Sequence, residues 1–271
     1  MEIELNLPSK MIMGNLLREV CASTYFRYVQ SYPTSMVINL FLFTESIRKY
    51  SYFEDTEPWR EKSEYLLRML DIDCDLKINH YVKDIKSYQS RKAISKVRKR
   101  SLKEIHYEAF DGAFFKFKNI LPTKKNKVCF WRYDLDNLSH RRKDIFTNEV
   151  YGKQQLYTSQ EWCELYEYLN SKFELIELEY RTPIREAYYH LCTSEFCVGY
   201  GGMYHNLCTS LNKPFISLLN TEKYDSKLQL KMTFPREYLC NPTIQQITND
   251  AYFSSLIDKA RDALGGYISV Y

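Results

Sequence analysis

The chain has 271 residues, of which 45% are hydrophobic and 27% charged, and its formal net charge is +4. This composition is ordinary for a folded globular protein and excludes wholesale disorder. The first residues lack a basic, apolar leader, and no apolar run reaches the roughly 18 residues that a membrane helix needs. We therefore expect a soluble, cytoplasmic protein.

Strands and helices alternate in the first half of the sequence. Residues 3–7 alternate in polarity like a strand, and an amphipathic helical pattern follows at 16–29. Residues 35–43 are apolar and partly β-branched, as in a buried strand. Helical spacing returns at 58–70, and 73–78 has the character of another strand. This alternation predicts an α/β fold with a parallel sheet.

A polar turn at residues 121–127 precedes a second α/β set, so we place the domain boundary at residue 124. The predicted strands of this set are 128–132, 173–180, 196–199 and 215–219. The predicted helices are 159–170, capped by Thr158 or Ser159, then 184–192, 203–211 and 250–264.

The turn Gly-Tyr-Gly-Gly-Met-Tyr-His at residues 199–205 joins a predicted strand to a predicted helix. Ligands of parallel sheets lie beyond the carboxyl ends of strands, where helix N-termini attract anions and glycines allow close backbone approach. We predict a phosphate-bearing ligand here. Its expected contacts are Tyr200, Gly201, Gly202, Met203 and His205. The alternative is a turn whose glycines serve geometry alone, since the pattern is not the dinucleotide fingerprint.

Arginines near the same sheet edge are candidate phosphate ligands. Arg132 ends a predicted strand, Arg141 lies in the loop that follows, and Arg181 follows the next strand. One guanidinium group can bind two phosphate oxygens at once through two parallel N–H donors. For residues 141–143 a solvated basic surface is an equal alternative.

A second group of cations occupies one short segment. Its members are Arg91, Lys92, Lys96, Arg98, Lys99, Arg100 and Lys103. Such a cluster can follow a nucleic-acid backbone by displacing counterions, so we predict DNA binding here. A solvated helix face is the alternative.

Metal chemistry has little support in the sequence. The Asp-x-Asp pairs at 71–73 and 134–136 do not lie convincingly at a ligand-binding strand end. The eight cysteines include no CxxC pair and no zinc-type spacing. We expect no bound metal and mostly buried, reduced thiols.

The stretch of residues 180–216 resembles the donor-binding half of GT-B glycosyltransferases of the heptosyltransferase type. The resemblance lies in the order of helix, strand, glycine turn and helix, followed by Lys213-Pro214 before the next strand. The turn at Gly14-Asn15 resembles their first acceptor-side turn. The resemblance implies two Rossmann-like lobes, an acceptor lobe at 1–124 and a donor lobe at 125–271, whose last helix can cross back to the first lobe.

The same resemblance implies a nucleotide-sugar donor, a UDP-sugar, whose diphosphate lies against Gly201, Gly202 and Met203 without metal or other cofactor. The family often has an aspartate where Asn15 stands. Asn15 and Glu19 are therefore the catalytic candidates, and Asp134 and Asp136 are substitutes by residue type only.

With its basic segment and its many Lys, Asn and Tyr residues, the chain is also similar to the enzymes of T4-like phages that glycosylate hydroxymethylcytosine in DNA, most of all the arabinosyltransferase type. This implies UDP-arabinose, or a glucose donor, and double-stranded DNA containing 5-hydroxymethylcytosine, in the cytoplasm of the infected cell. Base flipping would expose the acceptor. Two alternatives stay open: a saccharide acceptor, and a non-enzymatic DNA- or phosphate-binding protein.

Overall fold

A computed structural model describes residues 2–9, 35–43, 59–69, 75–83, 121–132, 157–179, 182–199, 203–218, 239–240 and 242–265. These residues form helices and two parallel sheets, which confirms the predicted α/β class. The chain divides into two compact units. The first consists mainly of residues 1–119 with 181–187, and the second mainly of 120–180 with 188–269.

The described strands of the first unit form a parallel sheet in the order β1-β2-β3. They are β1 (Glu2–Ser9), β2 (Ser35–Phe43) and β3 (Asp75–Lys83), and helix α1 (Trp59–Arg68) lies between β2 and β3 in the chain. The strand pattern at 35–43 predicted β2 correctly to the residue. β3 starts later than predicted and continues to Lys83, where Tyr81 and Val82 extend its β-type sequence.

An asparagine occupies the same level of each strand in this sheet. Asn6 is the register partner of Asn39, and Asn39 is the partner of Asn79. The side chain of Asn79 donates from Nδ2 to Oδ1 of Asn39 at 2.9 Å, and Asn39 is only 5% exposed. A polar contact therefore joins β2 and β3 beside core residues, such as Ile38 and Leu40, that are apolar and buried.

Among the described residues of the second unit, five short parallel strands form a sheet in the order β5-β4-β6-β7-β8. They are β4 (Lys127–Trp131), β5 (Glu174–Glu177), β6 (Phe196–Gly199), β7 (Phe215–Leu218) and β8 (Leu239–Cys240). The helices that the structure describes in this half of the chain are α2 (Ser159–Asn170), α3 (Ile184–Thr193), α4 (Met203–Ser210), α5 (Ile244–Ile247) and α6 (Asp250–Gly265).

Side chains of β4 alternate between the two faces of this sheet. Val128 and Phe130 lie in a core with buried residues of α2, α5 and α6: Trp162, Leu165, Leu169, Ile244, Ile247, Phe253, Leu256, Ile257 and Ala260. Cys129 and Trp131 lie on the opposite face, where Trp131 contacts Tyr204 of α4. The sheet is thus covered on both faces, as the apolar run of β4 predicts.

Helix ends agree with local sequence signals. The Thr158 side chain accepts from the backbone N–H of Glu161, and Glu161 accepts from the Thr158 N–H at 2.8 Å, which confirms the predicted cap of α2. The same reciprocal capping by Thr243 and Gln246 begins α5, which we did not predict because four residues show no periodicity. β8, with two residues, was missed for the same reason.

The final helix has the predicted extent and ends at Gly265. The family resemblance allows this helix to cross back to the first lobe. Its residues Phe253, Leu256 and Ala260 lie in the core of the second unit. In the described part of the chain, no helix combines the length and the apolar character that crossing a membrane requires.

Candidate functional site

The strand order of the second sheet identifies the position at its carboxyl edge where a ligand is expected. β4 and β6 are neighbours, and Trp131 at the end of β4 is the register partner of Gly199 at the end of β6. The next described helix after β4 is α2, on one face, whereas β6 leads into α4 on the other. Ligands of open parallel sheets bind where successive connections depart to opposite faces. The edge between β4 and β6 is that position in this sheet.

Aromatic side chains form a rigid layer just below this edge. The Trp131 indole stacks on Phe215 at 4.9 Å between ring centroids and 4° between planes, and Tyr204 meets it edge-on at 5.3 Å. The Tyr204 hydroxyl donates to the carbonyl oxygen of Glu179 at 2.6 Å, which joins α4 to the segment after β5. Buried aromatic contacts of this kind hold the strand ends in fixed positions.

Gly199 allows this layer to pack. A Cβ at position 199 would lie 2.6 Å from two ring atoms of Trp131 and 2.6 Å from the Trp131 carbonyl oxygen. Only glycine leaves room for the indole, which explains why the first glycine of the turn ends the strand. The remaining turn residues, 200–202, lie outside the described residues, and α4 begins directly after them at Met203.

Arg132 lies just past the end of β4, as predicted, and its guanidinium already has partners. Nε donates to Oε1 of Glu177 at 2.9 Å, and Nη1 donates to Sγ of Cys163 at 3.1 Å. Partial burial lowers the pKa of Arg132, but the Glu177 carboxylate and Cys163 raise it by more, so the group stays charged. Its side chain is 36% exposed, so an anion at the edge can compete with Glu177 for it.

His205 occupies a different environment from the one we expected. It is 2% exposed, and its ring lies 4.9 Å from that of Phe215, inside the core of the second unit. Burial lowers the pKa of His205 to about 3, so the imidazole is neutral at physiological pH. It therefore adds no positive charge to a phosphate site, and we leave it out of the proposed ligand contacts.

The other predicted site residues lie outside the described residues. They are Asn15, Glu19, Arg141, Arg181, Tyr200, Gly201 and Gly202, together with the basic segment Arg91, Lys92, Lys96, Arg98, Lys99, Arg100 and Lys103. Within the described ranges, no group of three or more His, Cys, Asp or Glu side chains is placed to hold a metal ion.

Sequence reasoning missed Glu177 and Cys163 as neighbours of Arg132. Glu177 ends β5, which is the strand next to β4 on the side away from β6. The sequence pattern placed the end of β4 near Arg132 but continued β5 past Glu177, and only the strand order shows that the two residues are adjacent. Cys163 is exposed on α2, where nothing in the local sequence links it to Arg132.

Comparison with known proteins finds no matching family model, no matching curated protein and no matching solved structure.

Proposed function

We propose that the chain is a glycosyltransferase of two Rossmann-like lobes, in which the second unit binds a nucleotide-sugar donor. The observation that carries this proposal is the position of Arg132 directly after β4 and of Gly199 at the end of the adjacent strand β6, at the edge where parallel sheets bind ligands. A charged guanidinium on one side and a glycine turn leading into a helix on the other suit a diphosphate.

Arg132 and the amino end of α4 would stabilise the leaving group. When the sugar leaves the donor, negative charge grows on the diphosphate, and fixed N–H donors oppose that charge without any metal. The Arg132 guanidinium would then release the Glu177 carboxylate and bind a phosphate oxygen. An acceptor hydroxyl attacks the anomeric carbon and gives its proton to a base. Of our two catalytic candidates, only the Glu19 carboxylate can accept a proton, because the Asn15 amide is not basic.

The proposed acceptor is 5-hydroxymethylcytosine in double-stranded DNA, with arabinose favoured as the sugar and glucose as the alternative. The basic segment supports this acceptor, because seven cations in 13 positions from Arg91 to Lys103 suit a phosphate backbone better than a neutral saccharide. Flipping the base would bring its hydroxymethyl group to the anomeric carbon.

The deciding experiment combines purified protein with DNA containing hydroxymethylcytosine and a panel of nucleotide sugars. Mass spectrometry of the digested nucleosides should reveal the mass of one pentose or hexose on the modified base. Donor binding without transfer to DNA would move the acceptor to a saccharide. Absence of both binding and transfer would overturn the enzyme proposal.

Arg132 and Glu177 should affect donor binding in opposite directions. We expect Arg132→Ala to weaken binding of UDP-sugar by about 10- to 100-fold, because a charge-assisted contact to phosphate is lost. Glu177→Gln should strengthen binding a few-fold, since it releases Arg132 from its carboxylate. Titration calorimetry measures both changes.

Arg261→Ala is the matched control. Arg261 forms a similar Arg–Glu pair in the same unit, with Glu195 at 2.7 Å, but Glu195 precedes β6 and so lies at the opposite edge of the sheet. Its removal should change donor affinity by less than about twofold, as expected for an exposed ion pair remote from the ligand. Equal losses of donor affinity in the Arg132 and Arg261 variants would show that Arg132 does not contact the donor.

Neutralising Arg98, Lys99 and Arg100 together should reduce the salt dependence of DNA binding. Each cation that displaces a counterion contributes about 0.9 to the slope of log K against log salt, so the triple Gln variant should lose roughly 2 to 3 units of slope. Fluorescence anisotropy across a salt series measures this quantity. An unchanged slope would identify the segment as a solvated surface.

A further inference from the structure

Two side chains from different elements hold the guanidinium of Arg132. Glu177 at the end of β5 accepts from Nε through Oε1 at 2.9 Å, and Cys163 on α2 accepts from Nη1 through its sulphur at 3.1 Å. The two contacts involve different nitrogens of a planar group, so they fix the plane of the guanidinium as well as its position. Arg132 is therefore oriented before any ligand binds.

The pairing of Arg132 with Glu177 uses a single hydrogen bond. Arginine and a carboxylate frequently form two parallel N–H···O contacts, which add both strength and fixed geometry. Within the described residues, the Arg132 guanidinium contacts Oε1 of Glu177 and the sulphur of Cys163, and Nη2 has no protein acceptor there. Both N–H groups of Nη2 and the second N–H of Nη1 are therefore available to an anion.

Cys163 differs from the other cysteines that the structure describes. It is exposed on α2, whereas the others are buried: Cys129, Cys192, Cys197 and Cys208. Packing in the core accounts for a buried cysteine, but it does not account for Cys163. The polar contact that the structure gives Cys163 is the one with Arg132. Its position therefore points to a role that is exerted on that guanidinium.

We propose that Cys163 is a positioning residue for the donor diphosphate: its sulphur retains Nη1 of Arg132 and keeps the guanidinium from closing onto both oxygens of Glu177. This inference rests on the proposed donor site, where Cys163 acts through Arg132. When a phosphate oxygen replaces Glu177, the sulphur still holds Nη1, so Nε and Nη2 are presented to the ligand. Without the sulphur, Arg132 forms the two-bond pair with Glu177, and the diphosphate competes with a stronger partner.

The affinity of two Cys163 variants for UDP tests this proposal, with the diphosphate of UDP as the probe. Cys163→Ala removes the acceptor and should weaken UDP binding by about three- to tenfold, the effect of one hydrogen bond. Cys163→Ser should bind UDP within about twofold of the unaltered chain, because a hydroxyl oxygen also accepts from Nη1. Titration calorimetry measures the affinities, and urea unfolding checks that each variant is folded.

Gln160→Ala is the matched control on the same helix. Gln160 is exposed like Cys163, but its side chain donates to Glu164 at 3.3 Å and makes no contact with Arg132. Its substitution should change UDP affinity by less than about twofold, as expected if α2 acts on the ligand through Cys163.

A Glu177→Gln background separates positioning from direct contact between Cys163 and UDP. An amide cannot form the charged pair with Arg132, so Cys163→Ala should weaken UDP binding by less than about twofold there. Three results would each overturn the inference and leave the donor site intact: no loss in Cys163→Ala, an equal loss in Cys163→Ser, or the same loss in both backgrounds. If the unaltered chain binds no UDP, the donor site itself is overturned, and the inference with it.

Discussion

Acidification from pH 6.5 to 4.5 is expected to reduce the free energy of unfolding by about 2 kcal/mol through His205 alone. In the folded protein, burial lowers the pKa of His205 to about 3, whereas an unfolded histidine titrates near its ordinary value of 6.5. Below pH 6.5 the unfolded chain therefore binds a proton that the folded chain does not. The stability is complete above pH 6.5 and is lost as the pH falls toward 3.

Chemical denaturation at several pH values measures this effect, with His205→Leu as the comparison. The substitution changes stability at every pH by an amount that does not concern the prediction. The prediction concerns the slope of the free energy of unfolding against pH. Below pH 6 the unaltered chain should lose about 1.4 kcal/mol per pH unit more than the variant. Parallel curves for the two proteins would mean that His205 titrates in the folded state near its ordinary pKa.

Gly199→Ala is expected to destabilise the second unit by about 1–3 kcal/mol, although alanine adds one methyl group only. The new Cβ would lie 2.6 Å from the Trp131 ring and from its carbonyl oxygen, so β4 and β6 would have to separate. This separation would also displace Arg132 from the turn after β6. Urea unfolding measures the stability, and donor titration in the same variant measures the effect on the site.

A double-mutant cycle with Trp131→Leu identifies the source of the strain. Trp131→Leu alone removes a buried indole and costs stability, but it also removes the ring atoms that the added methyl group would contact. Gly199→Ala should therefore cost less in the Trp131→Leu background, by about 1 kcal/mol or more. Some cost should persist, because the carbonyl contact is unaffected. Additive losses in the double variant would show that the ring is not responsible.

Periodicity and local signals predicted most described elements of the fold. β2 and β6 were predicted to the residue, and α2 was predicted together with its cap. α6 was predicted to within one residue. These predictions succeeded because each pattern is strong within its own segment. β5 is shorter than predicted at both ends: it begins at Glu174, and its register pairs with β4 end at Glu177, although the Leu178 N–H still donates to the Phe130 carbonyl oxygen at 2.7 Å. β8 and α5 are too short to show a period at all.

The site was predictable only in part, because its geometry depends on which strands are neighbours. The sequence identified Arg132 and Gly199 as strand ends. That they are adjacent, and that Glu177 holds Arg132 from the other side, follows from the strand order. Sequence reasoning placed His205 at a ligand site and Lys213 in the short link before a predicted strand. Long-range packing buries both, and no local pattern reports such packing.

The asparagines at the matched positions of the three described strands affect which register the strands of the first sheet adopt during folding. Its strands are separated by long stretches of chain, so many alignments compete while they associate. A shift of two residues would keep each apolar side chain on its own face and would cost the hydrophobic core little. It would, however, separate Asn39 from Asn79 and leave a buried amide without that partner, at about 1–3 kcal/mol. The amide contact therefore selects against misaligned folding intermediates that hydrophobic burial alone would tolerate.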